Sequence, residues 1–201
     1  MKDTISMIQV FEGYVRNYRR LNIHQAANKS QFTKKEVEYF SMLGEYLGLF
    51  PFVEDTKPNH DYGRSRPMDL SWWKWDERID TECFTNLVLH LERENIYKKD
   101  METIDKLFWS TEDDYVPDYV IGIMNIEKTE RIKTLQEEVK KRNKIQNSEC
   151  LMIYRYWDKK EDYYRIFSYY ISHDMKTVFE RKAISDVDNS GYWYMSFEEE
   201  Y

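Results

Sequence analysis

Glycine and proline are scarce in this chain, at 6 and 4 of 201 residues, which argues against flexible or Pro-rich linkers and low-complexity spacers. Cysteine is nearly missing. Cys83 and Cys150 sit in apolar surroundings, and no ligand-type spacing joins them, so zinc-finger chemistry is disfavoured and two reduced, buried thiols are expected. No stretch approaches the ~20 apolar residues needed to cross a bilayer. Met1-Lys2-Asp3-Thr4-Ile5 lacks the apolar core of a signal peptide, so the expectation is a soluble protein of the cytoplasm with no membrane association. A Gly-rich phosphate loop and a Ser-His-Asp order are also missing, which disfavours nucleoside-triphosphate hydrolysis and covalent catalysis.

What the chain does have is aromatic and charged. Hydrophobic residues make up 41% and aromatics 16%, with 17 Tyr and 6 Trp, enough to bury a real core in a single domain. The net charge of −7 speaks against a surface that coats nucleic acid all round. Yet no acid occurs from Gly13 to Lys35, where Arg16, Arg19, Arg20, Lys29, Lys34 and Lys35 fall, and Lys140, Lys141, Arg142 and Lys144 form a second basic cluster. Each cluster is either solvated helix surface or a phosphate-binding face. In the second case both should flank the functional site.

Periodicity predicts the elements in order. Ile8, Phe11, Val15 and Tyr18 give a helix over about Ile5 to Leu21. Thr33 with Glu36 three residues later forms a capping-box pattern, opening a helix whose face is Val37, Phe40, Gly44 and Leu47 and which stops near Gly48. Pro51 to Arg64 reads as loop. Met68–Trp75 and Phe84–Arg93 read as an antiparallel hairpin across the turn Asp76–Glu82. A helix over Lys99–Trp109, a buried strand Tyr119–Met124, a helix Thr129–Lys144 and a strand Cys150–Trp157 follow. Aromatic strands Tyr163–Ile171, Thr177–Ala183 and Gly191–Phe197 close the chain. The order implies an α/β fold, a mixed sheet flanked by helices on both faces. One domain, 1–201, is expected, with a core at about 32–157 and an extension at 158–201.

The chemistry concentrates on two strands. In Leu87-Val88-Leu89-His90-Leu91-Glu92-Arg93-Glu94-Asn95 the alternation puts Glu92 and Glu94 on one face, opposite Leu87, Leu89 and Leu91. Acids at the end of a buried strand are costly unless they bind something positive. Asp69 lies on the neighbouring strand, within Arg66-Pro67-Met68-Asp69-Leu70. Three oxygen ligands, Asp69, Glu92 and Glu94, suit a hard cation such as Mg²⁺ or Mn²⁺.

Pro67-Met68-Asp69 followed on the next strand by Glu92-Arg93-Glu94 resembles the PD-(D/E)xK, or restriction-endonuclease-like, nuclease superfamily in a Glu-x-Glu form, over about residues 32 to 157. The resemblance implies a helix, a three-stranded unit, a helix and a further strand. It implies a nuclease hydrolysing DNA phosphodiester bonds with Mg²⁺ or Mn²⁺, and nucleic acid as the partner. Asp69 and Glu92 would be metal ligands, with the Arg93 carbonyl as a third and Glu94 as a further ligand or water-orienting group. Because Glu94 stands where the common motif has Lys, Lys106 on the following helix would supply the lysine; the ordinary alternative for Lys106 is a helical pair with Glu102. An acid from the first long helix, Glu45 or Glu38, fits the family pattern too. Many such nucleases are homodimers.

A second class is a non-catalytic relative using the same fold to bind nucleic acid or protein, which the missing motif lysine favours; a third is an unrelated α/β protein with incidental acids. His90, on the Glu92 face, reads as a structural histidine. Trp72, Trp73 and Trp75 read as core residues rather than base-stacking ones.

Overall fold

The computed structural model describes residues 4–26, 28–54, 68–76, 84–108 and 115–201. Helix α1 (Met7–Asn17) opens on Ser6, whose side chain accepts from the Gln9 amide, and continues as a 3-10 turn, Tyr18–Leu21. Helix α2 (Lys29–Tyr46) starts earlier than the Thr33 pattern predicts. Asn28 caps it, accepting from the Gln31 amide at 3.0 Å. Glu36 cannot serve as a capping partner, because its side chain is drawn into the core. Val37, Phe40 and Gly44 do face inward, while Leu47 is 48% exposed. The helix ends before Gly48, whose φ of +77° suits a residue without Cβ. Gly44 has a different role: a Cβ there would lie 2.6 Å from the Trp72 indole nitrogen, so the close packing of α2 on the sheet needs glycine.

Among the described residues, eight strands form one mixed sheet whose spatial order follows the chain. They are β1 (Phe50–Val53), β2 (Leu70–Trp75), β3 (Phe84–Glu94), β4 (Tyr119–Ile126), β5 (Glu149–Asp158), β6 (Tyr163–Ile171), β7 (Thr177–Val187) and β8 (Trp193–Phe197). Strands β3, β4 and β5 are parallel neighbours; every other neighbouring pair is antiparallel. Parallel neighbours need crossovers, and α3 (Asp100–Leu107) and α4 (Arg131–Gln146) supply them. Strand β1 lies where a loop is expected from Pro51; as an edge strand it tolerates a proline. The rest of that loop from residue 55, most of the turn before β3, and Cys83 lie outside the described residues.

Two cores result. Residues of α1, α2 and one sheet face, including Phe11, Tyr14, Phe40, Leu70, Trp72, Leu89 and Leu91, make the first. Ile104 and Leu107 of α3, Ile132, Leu135 and Val139 of α4, and Val120, Met124 and Met152 from the other face make the second, with the free thiol of Cys150. The simple alternation of Leu87, Leu89 and Leu91 is broken by an irregular register in which Leu87, not Val88, pairs with Trp73. Val88 joins Leu89 and Leu91 in the first core instead, as an extra bulge residue does. The C-terminal strands continue the same sheet. No helix among the described residues is long and apolar enough to cross a membrane.

Candidate active site

Strand register assembles the acids. Leu70 pairs with Leu91, so Asp69, one residue before β2, stands beside Glu92. Val53 pairs with Leu70, so Glu54, just past β1, stands beside Asp69. Directly opposed antiparallel residues point to the same face, here the face covered by α3, whose Lys106 Nζ lies 3.5 Å from Glu92 Oε2. The Asp69 carboxylate accepts the Arg93 backbone N–H at 2.6 Å. The Lys106 contact answers one expectation: the lysine pairs with Glu92, not Glu102. A buried carboxylate attracts it more strongly than a solvated neighbour one turn away.

The pair is electrostatically stressed. Glu92 is 5% exposed, and its Oε1 is buried without a hydrogen-bond partner. Burial first, and then the charge of Asp69, push the Glu92 carboxyl up to about 8, against the pull of Lys106. Asp69 is raised mainly by burial and also by Glu54, while the Arg93 amide and Lys106 oppose the rise. For Lys106 burial acts downward, but the carboxylates of Glu92 and Asp69 outweigh it, so the ammonium holds its proton more tightly than usual.

Glu94 does not join them. Its carboxylate accepts the Ile96 amide at 2.6 Å as the chain leaves β3. The expected trio is therefore corrected to a pair: among the described residues, no three His, Cys, Asp or Glu side chains gather as a metal-ligating group. The residues that remain still fit a hard divalent ion. Asp69 and Glu92 offer oxygen only, one oxygen is buried and unpartnered, and their mutual repulsion would be relieved by a cation. Mg²⁺ commonly uses one or two carboxylates with water completing its shell.

The first long helix contributes neither Glu45 nor Glu38, both exposed. It contributes Glu36, to the opposite face of the sheet. Glu36 is fully buried and ion-paired with Arg93 Nε and with Arg155 at 2.8 Å; it also accepts from the Tyr14 hydroxyl. Burial alone would raise its pKa, but the two guanidiniums more than reverse this and keep it ionised. The signal in the sequence was its place in the apolar stripe Phe32, Glu36, Phe40, Gly44, where an acid must find a partner. Glu54 had a weaker signal, the alternation Phe50, Phe52, Glu54, hidden by Pro51 and the polar run after it.

His90 is fully buried on the Glu92 face, with both ring nitrogens lacking partners; burial holds its pKa down to about 3. The basic cluster of α1 and α2 does not line the site. Arg16 pairs with Glu200, Arg19 with Asp188 and Lys35 with Glu38, and α1 and α2 lie on the other face. The second cluster is on α4, on the same sheet face as α3, where Arg142 is held by Asp105 and Glu138. Comparison of the chain with protein-family models, curated proteins and solved structures finds no match.

Proposed function

We propose that this protein is a divalent-metal-dependent nuclease of the restriction-endonuclease-like fold, hydrolysing phosphodiester bonds of DNA at Asp69 and Glu92. The observation that carries the reading is the side-by-side carboxylates of Asp69 and Glu92, with the Lys106 ammonium 3.5 Å from Glu92 and one Glu92 oxygen free. The element order α2, β1, β2, β3, α3, β4 supports it, being the helix, three-stranded unit, helix and strand of that superfamily.

A bound Mg²⁺ or Mn²⁺ would supply charge neutralisation at the scissile phosphate and a more acidic water. Asp69 and Glu92 would hold it. Asp69 is fixed by the Arg93 amide, and Glu92 must lose its proton first, which ties function to pH. Lys106 stays protonated, so its role is to stabilise charge on the phosphate rather than to act as a base. Hydrolysis joins the water oxygen to phosphorus, breaks the bond to the leaving sugar oxygen and returns a proton to that oxygen.

The second reading, a non-catalytic relative, draws on one observation. A protonated Glu92 beside Lys106 and Asp69 leaves the site nearly neutral without any metal. Cleavage of DNA with Mn²⁺, abolished by EDTA and by Asp69→Ala or Glu92→Ala, supports the nuclease. Cleavage that survives in Asp69→Ala marks a contaminant and refutes it, as does wild-type protein that binds no Mn²⁺.

A further inference from the structure

The face of the sheet that carries Asp69 and Glu92 also carries a run of aromatic rings belonging to neither core. On β2, Trp73 and Trp75 share the face of Asp69, while Trp72 turns the other way and donates its indole N–H to the Phe40 carbonyl at 3.1 Å. Phe50 and Phe52 of β1 lie on that same face: Phe50 meets Trp75 and Phe84, and Phe52 meets Phe84, with centroids 5.2 to 6.3 Å apart. Trp73 meets Tyr115 at 4.9 Å. Phe50 is 46% exposed, and Phe52, Trp75 and Phe84 are half-buried. Trp73 is buried at 3% exposure and backs the cluster, while Phe50, Phe52, Trp75 and Phe84 leave part of their surface to water.

We propose that these rings form a base-stacking platform and that the substrate is single-stranded DNA laid along β2, its scissile phosphate at Asp69 and Glu92; this rests on the nuclease reading above. Same-face residues of a strand recur about every 7 Å. Trp75 therefore stands about 20 Å along β2 from Asp69, within the length of a few extended nucleotides. Rings are tolerant partners because every base has a π-face, and a single strand exposes those faces whereas a duplex stacks them internally. Duplex binding is carried mainly by phosphate contacts from cations. Among the described residues, Arg16, Arg19 and Arg142 are held by acids of this chain, and the first two lie on the far face. Lys106 is the cation beside the carboxylates. Around Phe50, Phe52, Trp75 and Phe84 this face presents rings, which match bases better than a backbone.

The test is fluorescence anisotropy with a labelled oligo(dT) and a hairpin duplex of equal length, in EDTA to prevent cleavage. The expected result is at least tenfold tighter binding of the single strand. Phe50→Ala and Trp75→Ala should each weaken it about tenfold, in line with one lost stack, while Phe50→Tyr should not. Circular dichroism checks that the variants fold. Equal or tighter duplex binding, no oligo(dT) binding, or folded alanine variants with unchanged affinity would overturn the proposal. So would a dimer, seen by light scattering, that Phe50→Ala dissolves without affecting oligo(dT). Mn²⁺ binding is measured separately: oligo(dT) binding without Mn²⁺ binding keeps the platform and removes the nuclease, whereas cleavage of duplex alone does the reverse.

Discussion

Replacing Glu92 by Gln should make the protein more stable at alkaline pH, because the folded state keeps this carboxyl protonated up to about pH 8. The unfolded chain releases the proton near its ordinary value of 4.5. Between those limits the folded state holds one more proton than the unfolded state, so stability falls as pH rises, by about 1.4 kcal/mol per pH unit. The loss reaches about 5 kcal/mol at most across the window, a large part of the 5–15 kcal/mol typical of a domain. Glutamine has nearly the same shape and no proton to lose. At pH 4.5 the variant should match wild type to within about 1 kcal/mol, and at pH 8 it should exceed it by about 3–5 kcal/mol. Urea unfolding of both proteins in EDTA at a series of pH values measures this directly. Added Mn²⁺ should close the gap by stabilising only wild type, since an ion that binds the folded state shifts the equilibrium toward it. Parallel pH curves, or a less stable variant at pH 8, would show that Glu92 is ionised in the folded protein and would refute the reasoning.

Three further outcomes follow from the same structure. His90 is held neutral, so the folded state binds no proton there while the unfolded chain does below about pH 6.5; its contribution falls by about 1.4 kcal/mol per pH unit on acidification, offsetting the Glu92 gain between pH 6.5 and 4.5, and His90→Phe should grow more stable relative to wild type by that slope below pH 6.5 in urea titrations. Glu36→Gln leaves two buried guanidiniums facing no anion, and chemical denaturation should report a loss of about 3–5 kcal/mol. Gly44→Ala should gain about 1 kcal/mol of helix propensity but press a methyl on the pinned Trp72 indole, for a net loss of about 1–3 kcal/mol in thermal or urea unfolding.

Much of the architecture was legible in the residues because secondary structure leaves a local period. Tyr119–Met124 reads as a buried strand from its nearly unbroken apolar run, and the strand runs on to Ile126; Ile132, Leu135 and Val139 mark the inner face of α4 at helical spacing. Strand β6 has the bounds its pattern predicts. Strand β1 escaped because four residues containing a proline carry too little period to outweigh the turn residues that follow. The start of α2 was misplaced because a capping box and a buried ion pair make the same demand on sequence, an acid near a helix start. Only the environment of Glu36 separates them.

By itself the sequence determined that Asp69 and Glu92 end on neighbouring strands, since a hairpin with alternating faces leaves few other arrangements. Tertiary structure decided the partners. Glu36 meets Arg93 and Arg155, 57 and 119 residues away; Lys106 turns from Glu102 to Glu92; Glu94 turns to the Ile96 amide instead of joining the pair. None of these choices has a local signature. Each follows from which charges the packed sheet removes from water, and burial is a property of the whole fold.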